Sequence, residues 1–378
     1  LLGYSQYHYL ALIQSADVLG VYGISFLLVA ANTALALLLC ALAERSWFGR
    51  PVPLHRVGIS LGAVALVAVG FIFYGKARIA TVDQQIARAP HADFGIVQGN
   101  IPQDIKWNKA FAKETLDRYL SLSKEVSPAP DVIVWPETAV PFYFPYDAEF
   151  SLKLVKGIKN IGTDFIIGSP SVTVLEPEKT LQYHNSVFMV SGAGEIVNRY
   201  DKSHLVPFGE YVPLRRWLPF LGTIVAQVGD FAAGQPGAVL NWRDHKVGPL
   251  ICFEMIFANM TRAQVRNGAN LLVNVTNDAW YGRSSAPYQH FSMAVLRAVE
   301  NRRALVRSAN TGISGFIDPV GRIGKSSELF VETTLSQPVA LLSGLTPYVR
   351  WGDFFAWSCL AAAVLAGISA GVIRKTSA

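Results

Sequence analysis

Gly248-Pro249-Leu250-Ile251-Cys252-Phe253-Glu254 joins four residues that read as a buried strand to a thiol, an aromatic ring and a carboxylate. A thiol at the point where a strand ends stands on a rigid support with its outer edge open, a common position for a nucleophile. A strand-end cysteine taken alone is more often core packing. Its company decides the reading: Trp135-Pro136-Glu137 and Asp201-Lys202 lie upstream, each also after a strand-like run. The other two cysteines, Cys40 and Cys359, sit in apolar runs long enough to cross a bilayer.

Outward from Cys252 the same kind of run recurs. Strands are predicted at Ala92–Gln98, Asp131–Trp135, Asp164–Gly168, Ser186–Ser191, Glu195–Tyr200, Lys246–Cys252, Asn270–Thr276, Ala304–Ala309 and Ile313–Asp318. Helical periodicity falls at Asn108–Val126, Glu149–Asn160, Ala258–Asn267 and Pro287–Asn301, and Gly192-Ala193-Gly194 marks a hairpin. The alternation predicts an α/β domain in which two sheets pack face to face under outer helices.

The whole chain is too apolar for a purely soluble domain, at 51% hydrophobic and 16% charged residues. Three runs, Val18–Ala43, Val57–Gly75 and Phe354–Ile373, carry no charge and reach the roughly 20 residues needed to span a bilayer. Arg45, Arg50 and Arg56 lie between the first two, and Arg374 and Lys375 follow the third. The positive-inside rule therefore puts residues 44–56 and 374–378 in the cytoplasm and 1–17 and 76–353 on the other side. The opening, Leu1-Leu2-Gly3-Tyr4, is read as starting inside a longer protein. The net charge of +6 is scattered and partly juxtamembrane, with no nucleic-acid-binding motif, so it fits topology and anionic lipid better than nucleic acid. An outer domain with one thiol cannot form an internal disulfide, and catalysis explains why Cys252 is kept.

Two aromatic stretches suggest lipid contact. Leu205–Ala233 holds Trp217 beside Arg215 and Arg216 among aliphatic residues, and Phe142-Tyr143-Phe144-Pro145-Tyr146 follows the Glu137 turn. In the chemistry expected of the strand ends, Glu137 takes the thiol proton and Lys202 stabilises the oxyanion formed when Cys252 attacks a carbonyl. The backbone N–H of Phe253 assists. The seven histidines show no metal-ligand spacing, so His204 and His290 read as structural, and no phosphate-binding glycine loop implies a nucleotide cofactor. No cofactor is expected.

These residues resemble the nitrilase, or carbon–nitrogen hydrolase, superfamily, whose triad is Glu-Lys-Cys in this order. Within it the chain closely resembles the apolipoprotein N-acyltransferase family. The likeness is carried by Val97–Gln103, Trp135–Pro141, Tyr200–Lys202, Pro207–Pro213, Cys252–Glu254, Asn277–Gly282, Gln289-His290 and Asn310–Ser314. It implies a nitrilase-like α-β-β-α sandwich inserted between transmembrane helices, on the periplasmic side of a bacterial inner membrane. Glu137, Lys202 and Cys252 would be catalytic, Glu210 and Glu254 supporting, and Trp107 and Trp217 substrate-binding. Phe253 stands where an aromatic residue, often Tyr, follows the Cys. The implied reaction moves an acyl chain from a phospholipid, typically phosphatidylethanolamine, to Cys252 as a thioester. The chain then passes to the N-terminal amine of a diacylglyceryl apolipoprotein. A membrane-tethered amidase or nitrilase with water as acceptor is the alternative.

Overall fold

Val132–Val134, Leu271–Thr276 and Ala304–Ala309 are buried at every residue rather than at alternate ones. Strands of that kind need cover on both faces, and the computed structural model supplies it. The structure describes residues 1–43, 46–47, 50–106, 109–177, 179–211 and 231–376.

The first sheet contains β1 (His91–Gln98), β2 (Val132–Val134), β3 (Asp164–Leu175), β4 (Thr180–Val190) and β5 (Ile196–Asp201). The second contains β6 (Leu240–Trp242), β7 (His245–Ile251), β8 (Leu271–Thr276), β9 (Ala304–Ala309), β10 (Gly315–Ile317) and β11 (Ile323–Ser326). The last strand, β12 (Thr333–Ala340), returns to the first sheet, giving the orders β12-β1-β2-β3-β4-β5 and β11-β10-β9-β8-β7-β6. Each sheet is built on three parallel strands, β1-β2-β3 and β7-β8-β9.

Between the sheets lies one apolar layer, with Phe94, Ile96, Val134 and Val187 facing Val247, Ile251, Val273 and Val306. Outside the first sheet pack α3 (Ala112–Glu125) and α4 (Ala148–Ile161), through Leu116, Tyr119, Leu154 and Ile158. Outside the second pack α5 (Ala258–Arg266) and α6 (Ala286–Asn301), through Val265, Val295 and Val299. The layers are therefore helix, sheet, sheet, helix, as the alternation predicts.

Ahead of the sandwich run α1 (Ala16–Leu42) and α2 (Leu54–Arg88), both long and apolar enough to cross a membrane. Behind it the apolar helix α7 covers Phe354–Thr376. Two features go beyond the sequence reading. Within residues 1–17, Leu2–Gln6 and Leu10–Ile13 wind into short helical turns packed on the second sheet's outer layer. The second apolar helix does not stop at Gly75 but runs on to Arg88. At Gly75 a Cβ would lie 1.7 Å from the Ala11 carbonyl oxygen, so only glycine lets α2 approach that turn. Buried Asp17 ties the pieces together, meeting Arg78 of α2 at 2.6 Å, Arg302 of the sandwich at 2.8 Å and the Tyr74 hydroxyl at 2.7 Å. Further along α2, Asp83 pairs with Arg322 at 2.7 Å.

The Phe142–Tyr146 stretch is divided. Phe142 and Phe144 are buried in the core under α4, whereas Tyr143 and Tyr146 are exposed. Core packing thus explains two of its four rings, and only the two tyrosines face outward. The Leu214–Ile224 part of the expected membrane arm, with Trp217, lies outside the described residues.

Candidate active site

Parallel strands present their C-terminal ends along one edge, and here both sheets bring that edge to the same place. Asn310, just after β9, accepts from the Ile101 N–H at 2.9 Å, and its carbonyl accepts from the Asn100 N–H at 3.0 Å, just after β1. β5 is antiparallel to β4 and β4 to β3, so β5 ends on that edge as well. Glu137 follows β2, Lys202 follows β5 and Cys252 follows β7.

The Glu137 turn is set by backbone constraints. Trp135 is buried, its indole N–H donating to Ser123 Oγ at 2.9 Å, and Thr138 takes a φ of +46°. β3 crosses beneath at Gly168, where a Cβ would stand 2.4 Å from the Pro136 carbonyl oxygen and 2.8 Å from Glu137 Cα. The Glu137 carboxylate accepts from Asn185 Nδ2 at 2.8 Å. The same amide donates to Glu210 at 3.0 Å, and Lys202 Nζ donates to that Glu210 oxygen at 2.8 Å. Glu210 is fixed in turn by the Val206 N–H at 2.9 Å. Asn185 on β4, which the sequence did not single out, thus joins Glu137 to the Glu210 that holds Lys202.

Cys252 has a φ of +51°, a left-handed conformation unusual outside glycine. It opens a single turn of 3-10 helix, Cys252–Ile256, whose first N–H groups, Phe253 among them, find no acceptor within that turn. The Phe253 ring packs edge-on against Phe257. Glu254 is fully buried and closes the turn, accepting from the Ile251 N–H at 2.8 Å. Its other oxygen accepts from the Ser203 and His204 N–H groups at 2.8 and 3.0 Å and from the Tyr200 hydroxyl at 2.9 Å. One carboxylate therefore binds the turn after β7 to the turn after β5.

Beneath the thiol lies a buried polar group. The Cys252 carbonyl oxygen is 3.2 Å from His290 Nε2 and 3.4 Å from Asn274 Nδ2. A carbonyl oxygen only accepts, so Nε2 carries the imidazole proton. Arg307 reaches His290 Nδ1 at 3.0 Å, pairs with Asp278 at 2.8 Å and also contacts Asn274. His290 therefore supports the backbone of the candidate nucleophile.

Burial pushes the Cys252 thiol up to about 12, and the charge of Glu137 adds to this against the opposing pull of Lys202. Burial would lower the Lys202 ammonium, but Glu137, Cys252 and Glu210 outweigh it and hold it above the usual lysine range. The three residues are thus close enough to sense one another's charge. The site rests with a neutral thiol and an ammonium.

A second lysine also reaches the site. Lys106, buried at the end of the helical turn Gln103–Lys106, donates to the Glu137 carbonyl oxygen at 2.9 Å. The sequence offers little to find it by, since a lone lysine after Pro102-Gln103-Asp104-Ile105 looks solvated. Trp107, its neighbour, lies outside the described residues. Among the described residues no cluster of His, Cys, Asp or Glu is suited to a metal ion.

Comparison with known proteins places this geometry. The carbon-nitrogen hydrolase model matches residues 94–341, and the apolipoprotein N-acyltransferase N-terminal domain model matches residues 1–34. The apolipoprotein N-acyltransferase of Geobacter metallireducens is 44% identical over 97% of this chain, which covers 69% of that protein. That of Rhizobium rhizogenes is 37% identical over 89% of the chain, which covers 62% of it. That of Methylococcus capsulatus is 32% identical over 98% of the chain, which covers 68% of it. A solved mutant of an amidase from Nesterenkonia sp. aligns over 70% of the chain and 94% of its own length, at 20% identity and a TM-score of 0.50, which speaks for the fold alone. The chain belongs to the apolipoprotein N-acyltransferase family of membrane enzymes, with a carbon–nitrogen hydrolase domain as its α-β-β-α sandwich.

Proposed function

We propose that this chain catalyses the family's N-acylation in two steps through a thioester on Cys252, with a membrane phospholipid as donor and a diacylglyceryl apolipoprotein as acceptor. The observation that carries the reading is the left-handed Cys252 after β7 on the strand-end edge that also holds Glu137 after β2 and Lys202 after β5, the last two linked through Asn185 and Glu210. In the first step the thiol proton passes to Glu137 while Sγ attacks the donor's ester carbonyl. Lys202 and the N–H groups opening the 3-10 turn stabilise the oxyanion. As the tetrahedral adduct collapses, Glu137 returns the proton to the departing lysophospholipid alkoxide. In the second step the acceptor's free amine attacks the thioester carbonyl, its proton goes to Glu137 and then to the departing thiolate, and an amide is left. A thioester is more reactive towards amines than the oxygen ester it came from, and the amide it yields is more stable than either, so the second step is both fast and downhill.

A thiol held near 12 stays protonated until attack, which suits a mechanism with proton transfer in the first step. The donor is read as phosphatidylethanolamine. The sandwich is placed on the periplasmic side of the inner membrane, with α1, α2 and α7 as spans on either side of it. Exposed Tyr143 and Tyr146 beside the Glu137 turn fit a mouth turned to the lipid headgroups.

The test is intact mass after incubation with phosphatidylethanolamine. An acyl adduct that is absent from Cys252→Ser, and discharged by an amine-terminated diacylglyceryl peptide, is expected. Loss of the adduct with release of free fatty acid and no acylated peptide would instead assign hydrolysis.

A further inference from the structure

The Val97–Gln103 motif has no part in the chemistry described so far, yet the structure gives it a task. The segment after β1 is fastened to strand ends of the opposite sheet. Asn310 bonds Ile101 on both sides, accepting from its N–H at 2.9 Å and donating to its carbonyl at 2.8 Å, and Asn277 donates to Gln103 at 2.7 Å. The Lys106 N–H closes the turn onto Pro102 at 3.2 Å. What this anchoring delivers is a buried lysine aimed at the back of the Glu137 turn, its Nζ 2.9 Å from the Glu137 carbonyl oxygen.

Lys202 already carries a carboxylate partner, Glu210. Among the described residues Lys106 has a carbonyl instead and no carboxylate in an ion pair with it. The charged groups that act on it are Glu137 and Cys252, the two groups between which the proton must move. A cation at this place stabilises the thiolate left when the proton moves to Glu137, and the hydrogen bond holds the Glu137 backbone where its carboxylate reaches Asn185.

We infer that Lys106 is a positioning residue for acyl-enzyme formation, acting through Glu137 by fixing its turn and supplying a second positive charge to the Glu137–Cys252 proton transfer. This rests on the acyl-enzyme reading above. Burial lowers the Lys106 ammonium to about 8, so its charge is present at neutral pH and is lost on moderate alkalinisation.

The experiment measures alkylation of Cys252 by iodoacetamide in detergent-solubilised full chain, in a Cys40→Ser/Cys359→Ser background, from pH 6 to 10. Sulfur displaces iodide and the thiol proton leaves through Glu137. Iodoacetamide needs no lipid, so the result stands apart from which donor the enzyme uses. Lys106→Met should slow alkylation at pH 7 by about tenfold to a hundredfold, the scale of losing a hydrogen bond made by a charged group. In a Glu137→Gln background the same change should add less than about a twofold effect, because the route through Glu137 is already gone. Equal slowing in both backgrounds, or no slowing in a variant that melts like the parent, overturns the proposal. If Lys106→Met does not fold, Lys106→Arg carries the test. In the parent the rate should climb less steeply above pH 8 than below it, and that break should vanish when the side chain is a guanidinium that stays charged. A break that persists in Lys106→Arg overturns the proposal.

Discussion

Removing the Glu254 carboxylate should unfasten the two catalytic turns from each other, and the cost can be worked from its partners. Its oxygens accept from three backbone N–H groups, those of Ile251, Ser203 and His204, and from the Tyr200 hydroxyl. In Glu254→Ala the three N–H groups lose their acceptor in a fully buried place, at about 1–3 kcal/mol each. Water entering the vacated space recovers part of this, which leaves about 3–5 kcal/mol. For a domain of this size about 1 kcal/mol moves the melting temperature by roughly 2–4 °C, so a fall of roughly 6–20 °C is expected. Glu254→Gln keeps the oxygen that serves Ser203, His204 and Tyr200 but turns an NH2 towards the Ile251 N–H. It should cost about 1–3 kcal/mol, between parent and Ala. Thermal melting of the solubilised protein, followed by single-turnover acylation of Cys252, reads both effects. Glu254→Ala melting within a degree or two of the parent while failing to acylate would refute the clamp and move Glu254 into the chemistry.

Lys202→Ala should slow thioester formation itself by about 10²–10³, the loss typical of one oxyanion donor. Normal thioester formation followed by a stall on adding the amine acceptor would reassign Lys202 to acceptor recognition. Gly168→Ala should push the Glu137 turn off β3, because its Cβ would meet the Pro136 carbonyl at 2.4 Å, and it should reduce acylation more than stability. The readouts are single-turnover acylation and the melting temperature, and full activity would show that the turn has room. Single cysteines at Arg50 and Arg374 should resist a membrane-impermeant thiol reagent applied to intact cells expressing the complete protein, and labelling of both from outside would reverse the orientation.

The sandwich was legible wherever burial is two-sided, because strands such as Leu271–Thr276 are apolar without interruption. It was illegible at the margins. β11, Ile323–Ser326, is exposed at every residue, and β12 carries Pro338, which an edge strand tolerates and a sequence reading takes as a break. The β3–β4 hairpin runs on to Leu175 and Thr180, past the ends expected at Gly168 and Ser186; Ser169, Pro170 and Ser171 are buried but polar or ring-locked, and so break the apolar run that marks a strand. Within the site, three residue types at three strand ends pointed to Glu137, Lys202 and Cys252. Asn185 and Lys106 are defined only by what they touch, and a single amide or ammonium among many leaves no periodic trace. The His290–Asp278–Arg307 group under Cys252 is scattered over three elements, and only the parallel sheet brings it together.

The unbroken run of α2 from Leu54 to Arg88 makes it a strut. At 1.5 Å of rise per residue its 35 residues are about 52 Å long, against a hydrocarbon core of about 30 Å. With Val57–Gly75 in the bilayer, as proposed, the surplus stands proud of the lipid, and Asp17 and Arg322 bolt it to the sandwich through Arg78 and Asp83. The altitude and bearing of the thiol above the membrane are then geometric constants of one helix. Adding a single residue between Gly75 and Asp83 would lift the mount by about 1.5 Å and swing it by about 100°, breaking the Asp83 anchorage and turning the mouth away from the surface that feeds it.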